Sequence, residues 1–112
     1  MDCIFCKIRK GEIPSEKVYE DDMMMIIKDI DPKAEKHYLC IPKNHFKLLS
    51  EMTEEDERQL AHCFKTIPQL GEKLGLGGGY RLIINQGDDA GQSVFHLHIH
   101  ILAGQKMAWN PA

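Results

Sequence analysis

The chain of 112 residues is long enough for one hydrophobic core, so we expect a single domain over residues 1–112. Its 43% hydrophobic and 28% charged residues are ordinary for a globular protein, and its net charge of -3 comes with scattered lysines and arginines. This pattern argues against nucleic acid as a partner, and the lack of an apolar run near the roughly 20 residues that span a bilayer argues against a membrane protein.

The N-terminal segment is charged where a secretory signal would be apolar. Lys7 and Arg9 interrupt the apolar core that a leader needs, so we expect a cytoplasmic protein. The four cysteines are then not expected to form disulfides, because that compartment is reducing. We predict a short helix or turn over residues 3–10 that ends at Gly11.

Three short apolar segments predict the first strands. Residues 18–20 and 23–28 flank an acidic turn, and residues 37–42 follow the break at Asp31-Pro32. The three consecutive methionines are expected to fill the core, and Cys40 is expected to be a small buried residue.

The middle of the chain predicts one long helix. Thr53 precedes the acidic residues Glu54, Glu55 and Asp56, which is typical of a helix start because the hydroxyl caps free amides and the acids suit the positive end of the dipole. Pro68 is expected to kink the helix and Gly75 to end it. The apolar face is predicted to contain Leu60, Phe64, Ile67 and Leu74, with Cys63 also buried.

Two further strands complete the predicted elements. Residues 80–85 predict one strand, residues 86–91 a loop rich in glycine and aspartate, and residues from about 93 to 102 the last strand. Because strands outnumber helices and form hairpins, we expect an α+β domain with an antiparallel sheet.

Three histidines alternate with aliphatic residues in the last predicted strand. Side chains at alternate positions of a strand share a face, so His96, His98 and His100 should lie side by side with the aliphatic residues in the core. Such a patch can be a polar surface, a metal site or a nucleophilic centre for phosphate chemistry. The preceding loop favours phosphate, because Gly87 and Gly91 let backbone amides approach an anion. Neutral donors in the same stretch are Asn85, Gln92 and Ser93.

The spacing Cys3-x-x-Cys6 supplies half of a tetrahedral zinc site. Two thiolates leave the ion two ligands short, and imidazoles are the usual partners. The alternative is a pair of free thiols. A redox role is disfavoured, because the sequence lacks a thioredoxin-like context.

Five segments in chain order carry a family resemblance. They are Cys3-Ile4-Phe5-Cys6-Lys7-Ile8, Asp29-Ile30-Asp31-Pro32, Ile41-Pro42-Lys43-Asn44-His45, the loop from Asn85 to Ser93, and His96-Leu97-His98-Ile99-His100-Ile101-Leu102. Together they resemble the histidine-triad (HIT) family, and the tail over residues 104–111 is similar to its nucleotide-binding, purine nucleoside phosphoramidase branch. The resemblance implies a HIT-like α+β fold with about five antiparallel strands, one long helix and one short one. It also implies a homodimer in which the two sheets become continuous.

The resemblance further implies a hydrolase for the bond between the α-phosphate of a purine nucleoside monophosphate and an amine or similar leaving group. His98 would be the nucleophile and form a nucleotidyl-histidine, His100 would contact the phosphate, and Ser93 would assist the leaving group. His96 would complete the catalytic set, and Asn85 and Gln92 would line the phosphate site. Alternatives are a dinucleoside polyphosphate or aminoacyl-adenylate hydrolase, a nucleotide-binding module with little catalysis, and a metalloenzyme centred on the triad.

Other residues take roles by the same resemblance. Asp29 would bind the ribose, with a turn-forming aspartate as the alternative. His37 would lie beside the triad, although it could equally be a satisfied polar residue at the start of a strand. Trp109 would either approach the partner's active site or pack into its own core. The base would lie among Ile4, Phe5, Ile8, Ile27, Ile30 and Leu39. In bacterial relatives of the zinc-binding type a structural zinc, not needed for the chemical step, is held at positions that correspond to Cys3, Cys6, His45 and His96.

Overall fold

A five-stranded antiparallel sheet forms the centre of the computed structural model, which describes residues 3–109. The sheet confirms the α+β class and the expected five antiparallel strands. Its strand order is β1-β2-β3-β5-β4, which puts the last strand between two others. The strands are β1 (Lys17–Glu20), β2 (Met24–Lys28), β3 (Lys36–Pro42), β4 (Tyr80–Ile83) and β5 (Ile99–Ala103).

The helices begin and end close to the predicted signals. Thr53 and Asp56 form a capping box in which each side chain bonds the other residue's backbone amide, so the predicted helix start is confirmed. The long helix ends one residue after Pro68, and Gly75 ends the next helix at a φ of 74°. The helices are α1 (Ile4–Arg9), α2 (Glu54–Gln69) and α3 (Gly71–Leu74), with 3-10 turns at Leu49–Glu51 and Asp88–Ala90.

The sheet separates two apolar layers. On one face α2 packs over a core that includes Met24, Cys40 and Cys63, all three fully buried. On the other face α1 covers a smaller cluster that contains Met25. The predicted burial of the methionine run and of both cysteines is therefore confirmed for these residues. Within residues 3–109 no helix is long and apolar enough to cross a membrane.

One prediction of burial was wrong, and one of two alternatives is excluded. Phe64 is 42% exposed, because the buried stripe of α2 passes through Leu60, Cys63 and Ile67 instead. Trp109 is 90% exposed and does not pack into its own core. The end of the tail, Asn110 and Pro111, lies outside the described residues.

The last strand begins at Ile99, later than the predicted start near residue 93. The ladder between β3 and β5 ends at the pair Cys40 and Ile99, so of the three histidines only His100 lies in a strand. Pro42 lacks the N–H that further pairing would use, and Leu97 N–H donates to Phe46 O over 2.7 Å instead. The alternation nevertheless persists, because the aliphatic residues Leu97, Ile99 and Ile101 are fully buried in the core against α2.

Candidate functional site

His98 lies just before β5, where the chain has left the sheet. Its Nδ1 is 2.8 Å from the carbonyl oxygen of His96. A carbonyl oxygen only accepts, so His98 carries its proton on Nδ1 and keeps a lone pair on Nε2. Phe5 packs edge-on against this ring with centroids 5.1 Å apart, and His98 is 8% exposed. The fold therefore presents a buried imidazole with a fixed tautomer, which suits a nucleophile.

His100 lies on β5, and two hydrogen bonds fix its tautomer. The backbone N–H of Lys33 donates to His37 Nδ1 over 3.0 Å, so neutral His37 carries its proton on Nε2. That Nε2 lies 2.9 Å from His100 Nδ1 and 3.4 Å from Asp29 Oδ2. His37 therefore donates to His100, which keeps its own proton on Nε2 and can donate it to a substrate oxygen.

Burial keeps these imidazoles neutral near pH 7. It lowers the pKa of His98 and of His37 below the ordinary histidine value. The pKa of His100 falls to about 4, first through burial and then through the neighbouring His98 and His37. Neutral rings suit the roles predicted for both His98 and His100. A protonated His98, in particular, would have no lone pair for attack on phosphorus.

Four possible metal ligands converge between α1 and the segment before β5. Cys3 Sγ lies 3.5 Å and Cys6 Sγ 3.7 Å from His96 Nδ1, and Cys6 Sγ lies 3.4 Å from His45 Nδ1. His96 Nε2 must donate to the carbonyl oxygen of Pro42, 2.7 Å away, so its Nδ1 lone pair faces the sulfur atoms. Zn–S bonds of about 2.3 Å and Zn–N bonds of about 2.0–2.1 Å at tetrahedral angles would separate sulfur and nitrogen by about 3.5 Å. The residues present therefore fit a zinc ion.

A second group has the composition of a metal site but the wrong hydrogen bonds. Possible ligand atoms of Asp29, His37 and His100 lie within 4.8 Å of one another. To bind a cation through Nε2, His37 would need its proton on Nδ1, where the N–H of Lys33 already points. We therefore assign this group as a hydrogen-bond relay. His98 belongs to neither of the two groups found among residues 3–109.

Gln92 stabilises the loop before the histidines through two side-chain hydrogen bonds. Gln92 Oε1 accepts from the N–H of Gly87 over 2.9 Å, and its Nε2 donates to the carbonyl of Lys47 over 3.1 Å. Gly87 and Gly91 have φ values of 86° and 79°, which favour glycine. The phosphate-binding role of Gln92 stays a prediction, and the second N–H of its Nε2 can serve that role with both of these bonds intact. Ser93 is exposed, so a substrate can reach its hydroxyl.

A cleft of about 180 Å³ opens beside His100. Pockets for small molecules are usually larger, roughly 300–1,000 Å³, so this cleft holds only part of a nucleotide. The remainder would lie on open surface, and Ile30, which follows the cleft residue Asp29 in the chain, is 99% exposed. The cleft is lined by Asp29, Lys33, His37, Ile83, Asn85, His100 and Leu102.

The other residues predicted to contact the nucleoside differ in how exposed they are to a ligand. Asp29 Oδ1 accepts the N–H of Asp31 over 2.7 Å, so this carboxylate does shape the turn, and its ribose role stays a prediction. Ile4 is 47% exposed on α1 and available to a ligand. The remaining four are buried together in the cluster under α1: Phe5, Ile8, Ile27 and Leu39.

A polar network that sequence reasoning missed holds the segment with His45. Asn44 Nδ2 donates to Asp56 over 2.9 Å, and the backbone N–H of Asn44 donates to Gln59 Oε1 over 2.7 Å. This network ties the segment after β3 to α2. The signal in the sequence is that polar residues share the buried face of that helix with apolar ones; Asp56 and Gln59 are 6% and 5% exposed.

Comparisons with known proteins agree with one another. A family model described as "Scavenger mRNA decapping enzyme C-term binding" matches residues 2–110. A HIT-like protein from Synechocystis sp. is 46% identical over 110 residues, which cover 98% of this chain and 96% of that protein.

Solved structures give the same picture. A HIT family hydrolase from Legionella pneumophila has a TM-score of 0.91 at 39% identity, over 99% of this chain and 100% of that one. A zinc-bound histidine triad family protein from Mycobacterium smegmatis has a TM-score of 0.80 at 34% identity, over 97% and 81% of the two chains.

Proposed function

The chain belongs to the histidine-triad (HIT) family, and we propose that it is a hydrolase that splits a purine nucleoside phosphoramidate into a nucleoside monophosphate and an amine. The single observation that carries this proposal is the 2.8 Å contact between His98 Nδ1 and the carbonyl of His96. It leaves the buried Nε2 of His98 unprotonated, which is the form that attacks phosphorus.

The reaction proceeds in two displacements at the α-phosphorus. His98 Nε2 forms a bond to phosphorus while the bond to the amine breaks, and the amine leaves with a proton. Water then attacks the nucleotidyl-histidine, releases the monophosphate and restores His98. The exposed hydroxyl of Ser93 assists the departing amine.

His100 stabilises the charge on the phosphate oxygens. Its Nε2–H is the free donor of the relay that begins at the Lys33 amide and passes through His37. Hydrogen bonds aimed at developing charge in a buried site lower the barrier more than the same bonds in water. His96 acts through its backbone carbonyl.

The nucleoside lies along the cleft beside His100. Asp29 accepts hydrogen bonds from the ribose, and Asn85 faces the phosphate side. The base lies against the exposed side chains of Ile30 and Ile4 and the apolar cluster that contains Phe5 and Leu39. An apolar clamp holds a flat base through its area and distinguishes its edges poorly, so adenine and guanine should be accepted at similar rates.

A structural zinc fits beside, and not in, the reaction centre. Cys3, Cys6, His45 and His96 would hold it, as their separations allow, and a related protein from Mycobacterium smegmatis is zinc-bound. When bound, the ion supplies cross-linking between α1 and the segment before β5, and no catalytic step requires it.

A second candidate reaction is hydrolysis of a phosphoanhydride, as in dinucleoside polyphosphates or aminoacyl adenylates. The description of the matching family model, which concerns a decapping enzyme, favours it. The same nucleophile would serve, with a phosphate or carboxylate as the leaving group. Turnover of an adenosine phosphoramidate and of a diadenosine polyphosphate, compared on one preparation, ranks the two reactions.

We expect the active protein to be a homodimer. β4 lies at one edge of the sheet, and its residues 81–83 are only half-buried in the single chain. Pairing of two such edges would make one continuous sheet. Light scattering during size-exclusion chromatography should give twice the chain mass of 12.8 kDa.

The deciding experiment is to trap the intermediate. Rapid quench of the protein with an adenosine phosphoramidate should leave a nucleotide on the peptide that contains His98. Catalysis of phosphoramidate hydrolysis without any such adduct would contradict the mechanism. Tight nucleotide binding without turnover would instead support a nucleotide-binding module.

A further inference from the structure

The two sulfur atoms at the start of α1 are arranged as a pair. Cys3 is the N-cap residue with an extended backbone, and its Sγ accepts the N–H of Cys6 over 3.4 Å. Both side chains therefore lie at the same end of one helical turn, and their sulfur atoms lie within 4.8 Å of each other. The sequence disfavours a thioredoxin-like catalytic role, but it does not bear on oxidation of metal ligands. We propose that Cys3 and Cys6 are a reversible oxidation site, at which a peroxide converts the two metal-binding thiolates into a disulfide.

Accessibility separates this pair from the other two cysteines. Cys3 and Cys6 are 7% and 8% exposed, whereas Cys40 and Cys63 are fully buried in the core. Cys6 Sγ also lies 3.4 Å from the ring of His45, an exposed residue. A small oxidant can approach the first pair from the surface, while the second pair requires unfolding.

The chemistry balances with one peroxide per pair. One thiolate attacks a peroxide oxygen and becomes a sulfenic acid, while hydroxide leaves. The second thiolate attacks the sulfenic sulfur, the S–S bond forms and a second hydroxide leaves. The two sulfur atoms together lose two electrons, and two protons complete two molecules of water. A bound zinc ion loses both anionic ligands and is released.

This site is connected to the proposed nucleophile through one residue. His96 faces the sulfur atoms with its Nδ1, and its carbonyl oxygen accepts the Nδ1–H of His98. Phe5, between the two cysteines in sequence, packs edge-on against the rings of both histidines at 5.8 Å and 5.1 Å. Oxidation contracts the sulfur pair and frees the His96 ring, so it loosens the contacts that orient His98. This last step rests on the proposed function, whereas the disulfide does not.

The test oxidises the zinc-loaded full chain with hydrogen peroxide. Trypsin is expected to cut after Lys7, so one peptide contains both cysteines, and its mass should fall by two hydrogens as zinc appears on a chromogenic chelator. One zinc should be released per disulfide, and dithiothreitol with added zinc should reverse both changes. Finding Cys3 and Cys6 still reduced after the zinc has left, or a disulfide with the zinc retained, would overturn the proposal.

Two variants sharpen the result. Cys6→Ser should give no intrapeptide disulfide, and Cys63→Ala should lose zinc at the wild-type rate, because the core cysteine takes no part. Peptide mapping of the wild type tests the site even where Cys6→Ser does not fold. If phosphoramidate turnover is found, oxidation should lower kcat/KM at least tenfold. If the protein turns over no nucleotide, zinc release and the disulfide still decide the oxidation site.

Discussion

His98 and His96 are joined by a hydrogen bond of 2.8 Å from an imidazole N–H to a backbone carbonyl. Through this bond the backbone carbonyl of His96 fixes the tautomer of the His98 ring. The His96 ring is left free for a different task, and its Nδ1 faces Cys3 and Cys6. The proposed nucleophile and the candidate metal site therefore share one residue, His96, without sharing an atom.

Replacement of the nucleophile should separate binding from chemistry. We expect His98→Ala to reduce phosphoramidate turnover by at least a thousandfold, because the lone pair that forms the covalent bond is gone. Nucleotide affinity, measured by calorimetry, should stay within a few-fold of the wild type. His62→Ala is the matched control: His62 bonds to Asp21 at 2.6 Å and has no assigned role in the reaction, so kcat should be unchanged. Residual turnover in His98→Ala close to the wild type would contradict the mechanism.

His37 should act by positioning the proton of His100. We expect His37→Ala to lower kcat roughly tenfold to a hundredfold with little change in KM, because the tautomer of His100 is no longer fixed. His37→Gln should recover part of the loss, since its amide can donate to His100 Nδ1 and its carbonyl can accept from Lys33. A purely structural role predicts equal losses in both variants, together with a lower melting temperature in both.

Removal of zinc should lower the free energy of unfolding, because the ion would cross-link the four residues Cys3, Cys6, His45 and His96. A ligand present at a hundred to a thousand times its dissociation constant stabilises the fold by about 3–4 kcal/mol, so chelation should lower the melting temperature by roughly ten degrees or more. His45 is the exposed ligand, so His45→Ala removes a metal bond at little packing cost. Elemental analysis should find one zinc per wild-type chain. Equal melting shifts on chelation in wild type and His45→Ala would rule out this site.

Asp21 should make the fold sensitive to acid. Burial raises the pKa of this carboxyl, but hydrogen bonds from His62, Tyr19 and two backbone amides outweigh it and bring the pKa to about 2. The depressed pKa stabilises the folded chain above the unfolded pKa of about 4, and this stability is lost as pH falls from about 4 towards 2. Because the side chain is 25% exposed, we discount the contribution to roughly 1–2 kcal/mol.

Urea unfolding of wild type and Asp21→Asn at several pH values tests this contribution. The variant should be less stable at pH 6, and the difference should shrink between pH 4 and pH 2.5. A constant difference at every pH would assign the effect to packing.

Short-range sequence patterns predicted the features that depend on residues close together in the chain. Thr53 and Asp56 are three positions apart, so a capping box can be recognised from the chain alone. The burial of Leu97, Ile99 and Ile101 followed from alternation in the same way. The histidine partners of the cysteine pair, His45 and His96, were named from a family resemblance, because nothing local to Cys3 points to His96, 93 positions away.

The tertiary structure decided where the histidines point and which nitrogen each one uses. Alternation predicted three rings on one strand, but Pro42 ends the ladder and its carbonyl binds His96, 54 positions away in the chain. Periodicity specifies an apolar face because each side chain of a strand or helix has a set direction relative to its neighbours. A tautomer is instead fixed by the one donor or acceptor that the fold brings within about 3 Å, and at His37 that partner is the backbone amide of Lys33. Backbone atoms are the same at every position, so only the folded chain determines which of them reaches a given ring.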